Sequence, residues 1–154
     1  MSLDTNWDPV ERWDVGDLLH TVDVFLPNAE ELKAISGSSA VREAMASVGS
    51  DQLTIVTKLG ARGAVARHVG ELRTVTANRS VDFMDAVGAG DNFNAGYLAG
   101  LLGEREPEDC LRMAVAAGTL STSGRGGTSA SSTLPEVSAF GESLVVTPGF
   151  AGSL

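Results

Sequence analysis

The segment Asp85-Ala86-Val87-Gly88-Ala89-Gly90-Asp91-Asn92-Phe93 places a turn of small residues directly ahead of an apolar-periodic stretch, with a carboxylate at the junction. Glycines at such a turn let backbone N–H groups approach an anion, and a helix N-terminus adds the positive end of its dipole. A carboxylate beside an anion-binding turn would repel a phosphate unless it had a task. The task that fits is to accept or orient the proton of an attacking hydroxyl while the turn holds a phosphoryl group. On that reading Asp91 is a general base, and Gly88, Ala89 and Gly90 cradle the transferring group. The plainer reading is an ordinary Asp-bearing helix start behind a glycine turn. Two other phosphate-loop patterns fail on spacing. A dinucleotide fingerprint needs Gly or Ala where Phe93 stands, and a Walker A loop needs a Gly-Lys pair, which the chain lacks.

Two further segments carry chemistry-bearing residues. Asn28-Ala29-Glu30-Glu31 follows a strand-like run. Asn28 fits a helix N-cap with first-turn acids favoured by the dipole. Asn28 and Glu31 also lie one turn apart on one face, from which they could position water around Mg²⁺, an ion that prefers oxygen ligands and keeps several waters. The two readings are compatible. Lys58-Leu59-Gly60-Ala61-Arg62-Gly63 joins two strand-like runs. It is either a plain glycine-bearing connection or a nucleotide-binding loop in which Lys58 or Arg62 neutralises phosphate.

The elements that must position these residues read as follows. Residues 3–6 form a short strand. Val22–Leu26 is a buried strand stopped by Pro27, and a helix capped by Asn28 runs through Leu32 and Ile35 to Gly37. A second helix covers about 40–47, and Leu53–Thr57 is a β-branched strand. Strands over 63–69 and 72–76 flank a Gly70-Glu71 turn. Helix three starts near Asp91 and continues through Leu102, helix four runs from about Pro107 to Leu120, and a short helix follows Leu134. Gly118 to Thr133 is so rich in Gly, Ser and Thr that composition predicts a linker or surface loop. The tail, residues 145–154, is expected to fray. Strands alternating with helices predict an α/β layered fold on a largely parallel sheet.

The chain has 154 residues and 43% hydrophobic content, which suits a single domain over 1–154. Its net charge of -9, with Lys33 and Lys58 the two lysines, argues against a nucleic-acid surface. His20 and His68 are too far apart in sequence to form a ligand pair. The single Cys110 excludes an internal disulfide, fits a reducing compartment and reads as a small core residue. No signal peptide or membrane-length apolar run is visible, so the expected location is the cytoplasm.

The Asp85–Phe93 segment resembles the C-terminal signature of the ribokinase-like carbohydrate kinases, the phosphofructokinase B type. That signature runs Asp-Thr-x-Gly-Ala-Gly-Asp-x-Phe, and this chain has Ala86 where Thr is usual. The resemblance implies that Asp91 is the catalytic base and that Gly88, Ala89 and Gly90 form the anion hole. Pro27-Asn28-Ala29-Glu30-Glu31 resembles the family's Pro-Asn-x-x-Glu element, which helps organise magnesium and the nucleotide phosphates. Lys58 to Gly63 resembles its Thr-Leu-Gly-x-x-Gly nucleotide loop, with Lys58 in place of Thr. Ala114 to Gly127 resembles the adenine-side segment, with Val115 where Asn often contacts the nucleotide. In many relatives that segment also supplies a monovalent-cation site, onto which Asp85, Val87, Thr122, Arg125, Gly127 and Ser131 map.

The resemblance covers essentially Leu3 to Leu144. It implies a three-layer α/β/α ribokinase-like sheet, ATP and Mg²⁺ as cofactors with K⁺ in addition, and a sugar or sugar-like substrate. Family members are longer, and the N-terminal half, with its sugar-binding motif and β lid, is not visible here. The expectation is therefore a truncated fold whose uncovered surface favours a homo-oligomer. The alternative is a non-catalytic nucleotide-binding or interaction module derived from such a kinase, which Lys58, Val115 and the missing half would suit.

Overall fold

A computed structural model describes the chain apart from residues 7, 9, 11–12, 78–80, 127–131 and 151–154. The contacts divide it into two compact units. One comprises residues 1–60, 65–74 and the segment from Thr147, and the other residues 61–64 and 75–146.

The first unit is built on a sheet of six strands that lie side by side in chain order. These are β1 (Ser2–Leu3), β2 (Val24–Phe25), β3 (Thr54–Lys58), β4 (Ala64–His68), β5 (Glu71–Val75) and β6 (Val146–Pro148). β1 pairs parallel with β2 in the register Leu3↔Phe25, and β2 pairs parallel with β3 in the register Phe25↔Ile55. The connections from β3 to β4 and from β4 to β5 are too short for a parallel crossover, so the sheet is mixed. Two helices link β2 to β3: α1 (Ala29–Ser36) and α2 (Val41–Ser47). Their apolar faces supply Leu32, Val41, Ala44 and Met45 to a core shared with Phe25 and Ile55 of the strands. Phe25, Leu32, Ala44 and Ile55 have no solvent exposure.

α1 follows the expected boundaries. Asn28 is its N-cap, and Gly37 closes it in the left-handed conformation at φ +70°. The β4–β5 turn falls on Val69-Gly70, one residue before the expected Gly70-Glu71. Both residues have positive φ, +47° and +75°, which a two-residue hairpin of this hand requires. Glu71 then becomes the first residue of β5. Arg67 on β4 is buried, and its guanidinium donates to the carbonyls of Met45, Val48 and Ser50 at the end of α2. It thus satisfies carbonyls that a helix C-terminus leaves unpaired.

The second unit holds α3 (Ala89–Leu102), α4 (Pro107–Ser121) and α5 (Leu134–Glu142). α3 and α4 pack at glycine distance. A Cβ added at Gly96 would lie 2.6 Å from the Met113 carbonyl, and one at Gly100 would lie 3.0 Å from Cys110 Cα. Cys110 is buried, as a small core residue should be. α4 runs through Gly118 to Ser121, so the start of the segment expected to be a loop is helical. The helix is anchored there by buried Ala114, Ala116 and Ala117, whose effect composition counting over 118–133 does not see. The tail also departs from expectation. Thr147 and Pro148 lie in β6, and Gly149 donates to the Leu72 carbonyl at 2.8 Å and accepts from Thr74 Oγ1 at 2.7 Å. Among the described residues, no helix is long and apolar enough to cross a membrane.

Candidate functional site

The sequence-derived site residues fall into both units. Asn28, Glu31, Lys58, Leu59 and Gly60 belong to the first, and Ala61, Arg62, Gly63, Asp85, Val87–Asp91, Val115, Thr122 and Arg125 to the second. Gly127 and Ser131 lie outside the described residues.

In the second unit, α3 begins at Ala89, two residues before the expected start. Gly88 is its N-cap at φ +76° and ψ 0°, a left-handed conformation that glycine adopts without strain. Ala89 and Gly90 are therefore the first helical residues rather than a turn ahead of the helix, and Asp91 is the third. Ala89 N–H is taken by the Ala86 carbonyl at 3.1 Å. Among the described residues no side chain caps this end, so the N–H groups of Gly90 and Asp91 point outward at the positive end of the dipole. Gly90 is exposed, and among the described residues nothing lies within 4 Å of the Cβ it lacks. An anion can approach its backbone without obstruction. Asp91 is exposed on the same first turn. Packing fixes that turn from behind: at Gly118 of α4 an added Cβ would lie 3.2 Å from the Ala89 carbonyl and 3.2 Å from Phe93 Cβ.

The approach to α3 is tied to the end of α4. The Thr122 carbonyl accepts from the N–H groups of Met84 at 2.8 Å and Asp85 at 3.2 Å. Asp85 in turn accepts from Val87 N–H at 3.0 Å and Gly126 N–H at 3.1 Å. Those donors hold its carboxyl below the usual carboxylate range. Both lone pairs of the Thr122 carbonyl are therefore engaged, whereas the Asp85 carboxylate keeps acceptor capacity. Val115, expected on the nucleotide side, is only 3% exposed and offers no polar atom. Its placement on the buried side of α4 gives it the part of a core residue.

In the first unit, Asn28, Glu31 and Lys58 meet where β1, β2 and β3 end. Parallel pairing puts those ends together. Leu26 N–H donates to the Leu3 carbonyl and Lys58 N–H to the Pro27 carbonyl, each at 2.9 Å, and Asn28 forms a parallel bridge with Lys58. Ligands of open α/β sheets bind outside the carboxyl ends of parallel strands. Asn28 and Glu31 form a complete capping box. Asn28 Oδ1 accepts from the N–H groups of Glu30 and Glu31 at 2.9 Å, and Glu31 Oε2 accepts from Asn28 N–H at 2.8 Å. Asn28 Nδ2 donates to Glu31 Oε1 at 2.7 Å. Glu31 is 4% exposed. The capping reading is thus fulfilled in full, and the carboxylate it fixes lies at the strand ends where a metal reading would need one.

Lys58 departs from expectation. Its side chain is 15% exposed, and its ammonium is ion-paired with Asp4 at 3.2 Å instead of standing open to a phosphate. Arg62 is the exposed cation of this connection. Residues Gly60–Arg62 make a short 3-10 turn, with Gly60 at φ +60°, and Leu59 just before it is buried. Gly63 sits at φ +99°, where a Cβ would lie 2.0 Å from the Val75 carbonyl, so only glycine fits. Asp4 and Thr5, which also join this cluster, carry no local sequence signal. They reach it through β-pairing alone.

The donor chemistry suits a magnesium ion held through water. Among the described residues, no group of three or more His, Cys, Asp or Glu side chains forms a protein cage for a metal. Mg²⁺ is commonly bound by one or two carboxylates together with substrate phosphates. Among the described residues, Oε1 of Glu31 accepts one hydrogen bond, from Asn28, and keeps room for a second.

Comparison with known proteins bears on what these parts do. The family model described as pfkB family carbohydrate kinase matches residues 1–134. An ATP-dependent ribose-1-phosphate kinase from Halopiger xanaduensis is 34% identical over 140 residues, covering 88% of this chain and 45% of the relative. A ribokinase from Haemophilus influenzae is 30% identical over 130 residues, covering 80% of this chain and 42% of the relative. The chain thus spans less than half the length of these relatives. A crystal structure of a fructokinase from Vibrio cholerae O395, with fructose, ADP and calcium bound, superposes with a TM-score of 0.75 at 25% identity, covering 90% of this chain and 49% of that one.

Proposed function

The chain belongs to the pfkB family of carbohydrate kinases, and from that premise we propose that it is the nucleotide- and phosphate-handling part of an enzyme that transfers the γ-phosphoryl group of ATP to a sugar hydroxyl. The observation that carries the reading is the start of α3: an uncapped helix N-terminus behind a left-handed Gly88, open at Gly90, with the Asp91 carboxylate on its first turn. Phosphoryl transfer asks a protein chiefly for positioning and charge stabilisation. The outward N–H groups of Gly90 and Asp91 supply fixed dipoles to the transferring group. The Asp91 carboxylate takes the proton of the attacking hydroxyl.

In this reading Asn28 and Glu31 organise the water shell of Mg²⁺, whose charge neutralises the phosphates when it is bound. Glu31 contributes a carboxylate fixed by its own helix cap. The Lys58–Gly63 connection holds the nucleotide, with Arg62 as its exposed cation and Gly60 as its point of close approach. The Asp4 ion pair gives Lys58 a supporting part. The monovalent-cation reading loses the Thr122 carbonyl, which is already committed to two N–H donors, and among the described residues rests on Asp85, Val87 and Arg125. K⁺ would supplement the positive field near the transferring group.

The relatives named above are described as kinases of ribose or ribose 1-phosphate, and the fructokinase structure holds fructose and ADP. A sugar or sugar phosphate is accordingly the acceptor class we assign. We place the protein in the cytoplasm, with no nucleic-acid or membrane partner, on its charge of -9 and its single buried cysteine. The test is Asp91→Asn in a coupled assay of sugar phosphorylation. A fall in kcat of orders of magnitude with ATP affinity retained is expected, and near-normal turnover would remove Asp91 as the base.

A further inference from the structure

Thr5 lies just beyond the end of β1 and far from Glu31 in sequence, yet its Oγ1 donates to Glu31 Oε2 at 3.1 Å. The two oxygens of this buried carboxylate are therefore unequally engaged. Oε2 takes two donors, Asn28 N–H and Thr5 Oγ1, and Oε1 takes one, Asn28 Nδ2. Each carboxylate oxygen accepts about two hydrogen bonds. Oε2 is thus filled and, among the described residues, Oε1 is left with a vacant acceptor position. The neighbouring residue, Asp4, anchors the same short segment by its bonds to Lys58 Nζ at 3.2 and 3.3 Å. The hydroxyl is held in place by that anchor, and β1 by its parallel pairing with β2.

We infer that Thr5 is a positioning residue for magnesium. By filling Oε2 it orients the Glu31 carboxylate so that Oε1 presents its vacant site to a magnesium-bound water. This deepens the functional reading above and rests on it. The helix cap alone does not require Thr5. Asn28 N–H and Nδ2 already satisfy the box, so a structural role predicts a stability effect without a metal effect. A positioning role predicts the converse. Groups that orient a metal's ligands commonly change metal affinity by 10–100-fold when removed. For an ion held through water, the lower end of that range applies.

Thr5→Val removes the hydroxyl with little change of shape, and Thr5→Ser restores it. The experiment is calorimetric titration of the whole chain with ATP, with and without Mg²⁺, on the wild type and both variants, with Tm measured alongside. The expected result is that Mg²⁺ strengthens ATP binding to the wild type. In Thr5→Val that gain falls by about 10-fold, with affinity for metal-free ATP retained, and in Thr5→Ser it returns. A Thr5→Val variant whose magnesium gain equals the wild type's, or that loses affinity equally with and without the metal, overturns the inference and leaves the functional reading standing. A wild type that binds no ATP in either condition overturns the functional reading and the inference together.

Discussion

The close approach of α3 and α4 sets a measurable penalty on Gly96→Ala. The added Cβ would meet the Met113 carbonyl oxygen at 2.6 Å and Ala117 Cβ at 2.8 Å, whereas unstrained carbon contacts lie at about 3.5–4.0 Å. The carbonyl belongs to the α4 backbone and cannot rotate aside, so the helices must separate. Overpacking of this kind costs about 1–3 kcal/mol. Against it stands the helix-propensity gain of Gly to Ala, at most about 1 kcal/mol. A backbone contact as close as 2.6 Å puts the cost at the upper end, about 2–3 kcal/mol, so the net effect is a loss of about 1–2 kcal/mol, or a fall in Tm of about 2–8 °C for a chain of this size. Gly90→Ala is the internal control. It lies in the same helix with nothing within 4 Å of the new carbon, so the propensity gain acts without a clash and Tm should hold or rise. Thermal unfolding followed by circular dichroism compares the two. A Gly96→Ala variant as stable as the wild type would refute the claim that α3 and α4 pack at glycine distance.

Gly63→Ala should be more damaging still, because a positive φ of +99° and a Cβ at 2.0 Å from the Val75 carbonyl act together; a soluble variant with wild-type Tm would contradict this. Asn28→Ala removes the one oxygen that accepts from the Glu30 and Glu31 N–H groups and a donor to the buried Glu31, and should cost about 1–2 kcal/mol in denaturant unfolding. The Asp85 carboxyl, lowered by the N–H groups of Val87 and Gly126, contributes stability that is present above the unfolded value of about 3.9 and is lost as pH falls through the lower folded value. The Gly126 amide shift in NMR should therefore titrate with a midpoint below that of an unfolded aspartate, and a midpoint above it would break the assigned hydrogen bond.

Local signals in the chain carried α1 and the α3 region furthest. Asn28 and Gly37 bracket α1 because capping is decided by residues within one turn of each end. Asp91 and the small residues before it were legible for the same reason. What the linear pattern misplaced was the onset of α3: Gly88, not Asp91, makes the transition, since a left-handed glycine can precede a helix without a side-chain cap. The pairing of Lys58 with Asp4, and of Glu31 with Thr5, could not be read locally, because parallel strands join residues that are distant in the chain. β6 was missed because its pairing with β5 arises from a partner more than seventy residues away, Thr74 against Gly149. Val115 reads as a ligand position by resemblance and as a core residue by burial, and burial depends on packing that no motif encodes.

The central claim is that the start of α3 holds phosphate. Calorimetric titration of the chain with Mg-ATP, on the wild type and on Gly90→Val, tests it most directly, because the open space at Gly90 lets the valine fold in place while its side chain blocks the approach to the backbone N–H groups. The account predicts binding by the wild type and its loss in a Gly90→Val variant of near-normal Tm. Equal binding by the two proteins, or none by the wild type at millimolar nucleotide, would contradict it.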